Sequence, residues 1–154
     1  MKYYIAYGSN LNKEQMAVRC PDAKPVTTTT INDYQLLFRG NGRSAVATIE
    51  PRKGSSVPVA IWKISLRDEH NLDRYEGFPW LYIKKNFGFK GTDGRNYKAM
   101  AYIMADGHPL GRPSEYYLDV IEQGYEDFGM DTAPLLEAVV ASTIGAALED
   151  EDDE

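Results

Sequence analysis

The chain opens with Lys2-Tyr3-Tyr4-Ile5-Ala6-Tyr7-Gly8-Ser9-Asn10-Leu11, a strand-like run that stops at a cluster of turn residues. Aromatic and apolar residues dominate positions 2–7 and favour a β-strand, whereas the Gly-Ser-Asn that follows favours a turn. A short helix is expected next, because Asn12 can cap it and Gln15 stands three residues later, as in a capping box. The N-terminus is therefore predicted to form a strand, a turn and a helix in direct succession.

Strand-like runs and turn residues alternate through the next ninety or so positions. The runs are Thr27–Phe38, Ala45–Glu50, Val57–Ile64, Leu81–Phe89 and Tyr97–Met104. Their separators include Gly40-Asn41-Gly42, Lys53-Gly54-Ser55-Ser56 and Gly91-Thr92-Asp93-Gly94. Together with the first run they make six predicted strands.

Helical signals lie between and after these strands. One helix is predicted to open at Ser65, with Asp68 as the reciprocal cap and Gly77 as its stop. A second should run over Ser114–Gln123 and stop at Gly124, and a third from about Thr132 to Leu148, where Leu136, Val140, Ile144 and Leu148 recur every four residues. This pattern predicts one α+β domain over residues 1–148, its mixed sheet curled into a small barrel with flanking helices.

The charges are unevenly distributed along the chain. It has 17 basic and 23 acidic residues, and the last six, Glu149–Glu154, are all acidic. Without those six, 17 residues of each sign remain, so the predicted domain is neutral. A neutral body argues against nucleic-acid binding, which needs clustered positive charge. The segment 149–154 is expected to be a disordered acidic tail.

The single cysteine, Cys20, excludes an internal disulfide framework and a multi-cysteine zinc site. Neither His70 nor His108 has a cysteine at metal-ligand spacing, so no metal site is expected. No export signal and no run of about 20 apolar residues is recognised, so a cytoplasmic protein without membrane association is predicted. Oligomeric state is not indicated by the sequence.

The turn Gly8-Ser9-Asn10 is the first candidate site. Gly8 allows a positive φ and Ser9 is small, so that successive backbone N–H groups can point at one spot. Such a turn before a helix could hold a carboxylate. The same residues are also common in turns with a purely structural role.

The second candidate is Glu76, at the last position of the predicted Ser65 helix. Its carboxylate would face the negative end of the helix dipole, and Tyr75, Phe78 and Trp80 would desolvate it. Both effects raise the pKa toward the range in which a carboxyl group shuttles protons near neutral pH. A solvated glutamate at a helix end is the alternative.

Several short motifs, taken in order, resemble the γ-glutamylcyclotransferase family over about Met1 to Gly129. They are Tyr7-Gly8-Ser9-Asn10-Leu11, Arg19-Cys20-Pro21, Ala47-Thr48-Ile49, Trp62, Leu72-Asp73-Arg74-Tyr75-Glu76-Gly77, Tyr82, Pro113-Ser114-x-x-Tyr117 and Gly124. Each motif alone is weak, but their joint order and spacing are specific. Ser44, Ala45 and Ala60 stand where relatives often have glycine, and these departures leave the chemistry intact.

The resemblance implies a cofactor-independent enzyme that cyclises a γ-glutamyl compound to 5-oxoproline and releases an amine or amino acid. It implies that Glu76 moves the proton and that the loop from Tyr7 to Leu11, through the backbone donors of Gly8, Ser9, Asn10 and Leu11, holds substrate oxygens. Tyr82 and Tyr117 would position the substrate or hydrogen-bond the glutamate. Phe78-Pro79-Trp80 is expected to shape the pocket mouth.

Two rival interpretations remain. The first is a non-catalytic module on the same fold that captures a small carboxylate with the turn, whatever Glu76 does. The second is a partner-binding role for the acidic tail, although charge runs of this kind are usually just solvated.

Overall fold

The computed structural model describes residues 1–41 and 43–152, and they form one α+β domain with a mixed five-stranded sheet. The strands are β1 (Lys2–Ala6), β2 (Lys24–Arg39), β3 (Val46–Ile64), β4 (Tyr82–Lys90) and β5 (Asn96–Met104). The helices are α1 (Lys13–Arg19), α2 (Leu66–Glu76), α3 (Glu115–Asp127) and α4 (Ala133–Asp152), and a single 3₁₀ turn spans Ser9–Leu11. The predicted fold class is confirmed.

The strand order is β2-β3-β1-β5-β4, with β1 antiparallel to β3 and parallel to β5. No backbone pairing joins β2 to β4 within the described ranges, so the sheet is open and the predicted small barrel is not closed. Its two edges nevertheless approach each other through side chains. The rings of Tyr34 and Phe87 pack edge-on at 5.2 Å, and Lys85 Nζ donates to Tyr34 Oη at 2.6 Å. The sheet is therefore strongly curled, and its inner face carries the apolar core.

The β2–β3 hairpin contains the largest departure from the sequence prediction. Strand β3 is continuous through Lys53-Gly54-Ser55-Ser56, where a separator between two strands was expected. Asp33 has a φ of 61° and Gly54 a φ of 87°, and Gly54 N donates to Asp33 Oδ1 at 3.0 Å. The register shifts between Asn32 and Tyr34. The turn-forming residues therefore serve a β-bulge inside a long hairpin, and five strands result instead of six. Gly42, part of the other predicted separator in this region, lies outside the described residues.

The ends of α1 and α2 match the predicted caps. At α1 only half of the expected box forms: Gln15 N donates to Asn12 Oδ1 at 3.0 Å, whereas Gln15 Oε1 accepts from Arg19 Nη2 at 2.6 Å. At α2, Ser65 and Asp68 form both bonds of a capping box. Gly77 ends α2 in the left-handed conformation with a φ of 66°. These caps fix where α2 stops, and they thereby fix the position of its last residue.

Helix α3 starts at its predicted cap, Ser114, but runs through Gly124 to Asp127. Gly124 is not a stop. A Cβ at this position would lie 2.5 Å from Leu11 Cβ and 2.6 Å from Leu11 C. The glycine therefore allows α3 to pack directly against the turn that follows β1.

Helix α4 continues to Asp152, so the acidic segment is helical over 149–152, which differs from the disordered tail predicted there. Glu149 accepts a hydrogen bond from Leu110 N at 3.1 Å, which anchors the start of this segment. Residues 153 and 154 lie outside the described part of the chain, and the domain boundary at 148 stays a prediction. Among the described helices, none is long and apolar enough to cross a membrane.

Candidate active site

A cavity of about 200 Å³ lies where the end of α2 meets the turn after β1 and the first residues of β3 and β4. All but one of the predicted site residues line it: Tyr7, Gly8, Ser9, Asn10, Glu76, Tyr82 and Tyr117. The exception is Leu11, which is fully buried in the core. The structure thus places the glutamate and the amide-rich turn on the walls of one hollow.

Glu76 is the last residue of α2 and is partly buried. Within the described residues, no group donates a hydrogen bond to its carboxylate. Burial raises the pKa of Glu76 to about 7, and the nearby positive charge of Arg19 opposes that rise. A carboxyl group with this pKa is present in both protonation states near neutral pH, as a proton shuttle requires.

The residues expected to desolvate Glu76 contribute unequally. Tyr75 lines the cavity, whereas none of Phe78, Pro79 and Trp80 does. The Trp80 side chain is 85% exposed. The predicted role of these three residues at the pocket mouth is therefore not supported, and Leu81 lines the cavity in their place.

The turn achieves its shape differently from the prediction. Gly8 has a φ of −126°, so it does not use the positive φ that was expected of it. A Cβ there would lie 3.2 Å from Ala47 Cβ, a tight contact, and 3.5 Å from Tyr117 Oη, an ordinary one, so the glycine eases the close approach to β3. The small residue lets the backbone form one wall of the cavity.

The backbone donors of the turn divide into two groups. Leu11 N donates to Gly8 O at 3.0 Å and is used within the 3₁₀ turn. For the N–H groups of Gly8, Ser9 and Asn10, the described residues supply no acceptor. The three residues that carry these donors line the cavity, and backbone N–H groups without a protein partner are suited to an anionic oxygen.

Asn10 is held from three sides. Its Nδ2 donates to Tyr4 Oη at 2.9 Å, its Oδ1 accepts from Arg19 Nη1 at 2.7 Å, and its carbonyl accepts from Trp62 Nε1 at 3.1 Å. The Arg19 guanidinium also stacks on the Tyr75 ring, 3.7 Å from its centroid. This network fixes the turn relative to the end of α2.

Two predicted tyrosines bind the backbone of one residue of β3, Ala47, from its two sides. Tyr82 Oη donates to Ala47 O at 2.6 Å, and Ala47 N donates to Tyr117 Oη at 3.0 Å. Neither hydroxyl bonds to Glu76, so that alternative role is not seen in the structure. Because Tyr117 accepts from Ala47, its own O–H remains able to donate into the cavity.

Six lining residues were missed as site residues from the sequence: Tyr4, Val46, Ala47, Tyr75, Leu81 and Tyr102. Tyr75 was considered only as a neighbour that desolvates Glu76. Its position directly before Glu76 in the sequence was the signal that could have placed it in the same site. Tyr4 and Tyr102 reach the cavity because β1 and β5 pair in parallel near Tyr4 and Met100, a register that no local pattern shows. Six of the chain's eleven tyrosines thereby line one site.

Comparison with known proteins assigns this chain to a family. The family model described as "Gamma-glutamyl cyclotransferase, AIG2-like" matches residues 4–125, most of the chain. The chain belongs to this family. The match contains both the turn and Glu76, and it ends before α4 begins.

Curated relatives and solved structures agree with that assignment. The chain is 27% identical over 136 residues to gamma-glutamylcyclotransferase from Homo sapiens, covering 82% of this chain and 71% of the relative. It is 29% identical over 136 residues, with the same coverage, to gamma-glutamylcyclotransferase from Bos taurus. A solved gamma-glutamyl cyclotransferase superimposes with a TM-score of 0.72 at 26% identity, covering 83% of this chain and 80% of that one.

Proposed function

We propose that the protein is a γ-glutamylcyclotransferase that converts a γ-glutamyl compound into 5-oxoproline and a free amine or amino acid. The α-amino nitrogen of the substrate attacks its own γ-carbonyl carbon and forms the ring C–N bond. The C–N bond to the leaving group breaks, and the two protons lost by the attacking α-ammonium nitrogen are transferred to the departing nitrogen, which leaves as an ammonium group. Atoms and charges balance without a further reactant.

Glu76 is the proposed proton carrier. In its ionised form it accepts a proton from the α-ammonium group and frees the nucleophile. In its protonated form it then donates to the leaving nitrogen, and the second proton of the attacking nitrogen follows the same route. A single carboxyl group with a pKa of about 7 can do both, because neither protonation state is strongly disfavoured at neutral pH.

The N–H groups of Gly8, Ser9 and Asn10 are the proposed donors to substrate oxygens. They could bind the α-carboxylate or the oxyanion that develops on the γ-carbonyl, since either is an anionic oxygen. Tyr82 and Tyr117 hold the Ala47 peptide in place. We propose that the Tyr117 hydroxyl additionally donates to the substrate.

The rate acceleration expected from these groups is large. Holding the substrate in its ring-closing conformation supplies several kcal/mol, since the nucleophile is part of the same molecule. A positioned general base typically adds a factor of 10²–10⁴. An oxyanion donor contributes about 3 kcal/mol where single donors have been removed from other enzymes.

One observation carries the proposal: Glu76, with its raised pKa, shares a cavity of about 200 Å³ with three unpaired backbone donors. The test is to incubate the protein with γ-glutamyl amino acids and γ-glutamylamines and to measure 5-oxoproline. Glu76→Gln should lower kcat by a factor of about 10²–10⁴. Glu126→Gln, the same change at an exposed position of α3, should leave it unaltered. A Glu76→Gln variant that keeps the parent rate would refute the assignment.

The unpaired turn amides also support the second candidate, a module that binds small carboxylates without turning them over. Ligand binding by calorimetry with no 5-oxoproline from any member of the panel would favour it. The proposed setting of either activity is the cytoplasm.

A further inference from the structure

Arg19, Asn10 and Tyr4 form a chain of hydrogen bonds that ends at the candidate active site. Arg19 Nη1 donates to Asn10 Oδ1 at 2.7 Å, and Asn10 Nδ2 donates to Tyr4 Oη at 2.9 Å. Asn10 and Tyr4 line the cavity of about 200 Å³, whereas Arg19 does not. The chain therefore connects a positive charge behind the cavity wall with a tyrosine that forms part of that wall.

The direction of each bond in this chain is fixed by its first member. A guanidinium group has donors only, so the amide oxygen of Asn10 must face Arg19. The amide nitrogen then faces Tyr4 and can only donate, so the Tyr4 oxygen must accept. Asn10 cannot easily turn away, because its backbone carbonyl accepts from Trp62 Nε1 at 3.1 Å. The hydroxyl hydrogen of Tyr4 is therefore left for a different partner.

The protein supplies no such partner for Tyr4 in the part of the chain that the structure describes. The residue is only 3% exposed, and within 1–41 and 43–152 its hydroxyl group donates to no acceptor. Burial and, after it, the negative charge of Glu76 raise the pKa of Tyr4 well above its usual value, so the hydroxyl keeps its hydrogen at neutral pH. Buried polar groups are nearly always hydrogen-bonded, and this one is suited to an acceptor that enters the cavity.

We propose that the Tyr4 hydroxyl donates to the α-carboxylate of the substrate, and that Arg19 and Asn10 are positioning residues that make Tyr4 a donor. The inference rests on the proposed function for the identity of that carboxylate. Hydrogen bonds in a chain polarise one another, so the charge of Arg19 strengthens donation by Tyr4. A cation that does not line the cavity thereby contributes to binding an anion inside it.

The number and position of the donors favour a carboxylate over a single carbonyl oxygen. Asn10 contributes twice, because its backbone N–H is one of the three turn donors and its side chain directs Tyr4. These N–H groups and the Tyr4 hydroxyl therefore lie at the same end of the cavity. A carboxylate offers about four lone-pair sites on two oxygens, whereas a carbonyl oxygen offers two. Among the described residues no lysine, arginine or histidine lines the cavity, so an anion there depends on neutral donors.

The experiment measures binding of two probes by calorimetry: 5-oxoproline, and 5-oxoprolinamide, in which a neutral amide replaces the carboxylate. The parent should bind the acid more tightly than the amide. Tyr4→Phe should weaken binding of the acid about ten- to 100-fold and that of the amide by a smaller factor, because hydrogen bonds to charged groups are stronger. Tyr125→Phe is the matched control and should change neither, since it removes a buried hydroxyl of α3 that has no hydrogen-bond partner in the described residues.

Asn10→Asp tests the positioning role without a change of shape. The new carboxylate still accepts from Arg19 but has no hydrogen for Tyr4, so the Tyr4 hydroxyl donates to it instead of to the substrate. This variant should also bind the acid about ten- to 100-fold more weakly, and the loss should be much smaller in the Tyr4→Phe background. An effect of the added charge alone would be equal in both backgrounds. In turnover, Tyr4→Phe should raise KM with little change in kcat, because the α-carboxylate is bound alike before and during ring closure.

Circular dichroism checks that each variant is folded, and if Tyr4→Phe is not, Asn10→Asp alone decides. A folded variant of either kind that binds the acid like the parent would overturn the inference. Equal losses for acid and amide, independent effects of Tyr4→Phe and Asn10→Asp, or a parent without preference for the acid would do the same. A parent that binds 5-oxoproline through Tyr4 but forms none from any γ-glutamyl compound would refute the proposed function and leave this inference standing.

Discussion

The pH dependence of kcat/KM is the sharpest test of the proposed role of Glu76. Its ionised form must accept the proton, and burial raises its pKa to about 7. At pH 5 only about 1% of such groups are ionised, since each pH unit below the pKa costs a factor of ten. A glutamate with the ordinary pKa of about 4.5 would still be about three-quarters ionised. The two cases differ by almost two orders of magnitude in expected activity.

The expected result is a kcat/KM that falls about tenfold per pH unit below pH 7 and is about 100-fold below its plateau at pH 5. The assay is the initial rate of 5-oxoproline formation at substrate concentrations well below KM. This ratio reports the free enzyme, which is the state that the structure describes. Rates should be measured only where circular dichroism shows an intact fold.

Arg19 provides the matched perturbation. Its positive charge lowers the pKa of Glu76, so Arg19→Met should shift the acid limb of the profile to higher pH. Arg67→Met changes an arginine on the first turn of α2, where its guanidinium pairs with Asp22 at 2.8 Å, and should leave the limb in place. A parent profile that is flat down to pH 5 would refute the reasoning, as would a limb that moves to lower pH in Arg19→Met.

Four further outcomes are expected. Glu76→Gln should be more stable than the parent by up to about 3 kcal/mol above pH 7, with no difference below pH 4.5. The stability of the parent should fall as pH rises from 4.5 to 7, because the raised pKa makes ionisation of Glu76 unfavourable in the folded state. Urea titrations of both proteins at several pH values measure this difference. Tyr117→Phe should cost about 1–3 kcal/mol, since Ala47 N–H loses its acceptor, and should also lower kcat. Gly124→Ala should destabilise the protein by about 1–3 kcal/mol or more in thermal unfolding, because its Cβ meets Leu11 backbone at 2.6 Å. Finally, no lysine, arginine or histidine lines the cavity in the described residues, so a γ-glutamylamine should have a higher kcat/KM than the γ-glutamyl amino acid that differs from it by a leaving-group carboxylate.

Features encoded by neighbouring residues could be predicted from the sequence. The ends of α2 depend on Ser65, Asp68 and Gly77, and each acts on backbone within a few residues of itself. Because these caps define the last position of the helix, the sequence also placed Glu76 at its C-terminus. Proximity of Glu76 to the turn, by contrast, was expected only from the family resemblance.

Features that depend on distant partners could not be predicted. Gly54 looks like a turn residue until its N–H is seen to pair with Asp33 across a hairpin. Gly124 looks like a helix stop, although its role is to let Leu11 approach. The four-residue spacing in α4 correctly indicated a helix, but the spacing alone does not show which side of that helix faces the domain.

The tyrosines explain why a site full of hydroxyl groups still raises the pKa of its carboxylate. Tyr82 donates to Ala47 O, and Tyr102 donates to Asp73 Oδ1 at 2.5 Å. Tyr7 donates to the backbone carbonyl of Tyr102. Three hydroxyl donors are thereby committed to other protein groups, and none of them is available to stabilise an ionised Glu76.

Tyr4 and Tyr117 differ from these three, because each accepts a hydrogen bond and keeps its own O–H. Those two hydrogens and the three turn amides are donors that a bound substrate can use. Burial meanwhile desolvates Glu76, and Arg19 acts on it as a nearby positive charge. The site therefore has donors for anionic oxygens and a carboxyl group whose protonated form is favoured by burial. A substrate bearing both a carboxylate and an ammonium group would supply what each lacks, as the γ-glutamyl substrate proposed above does.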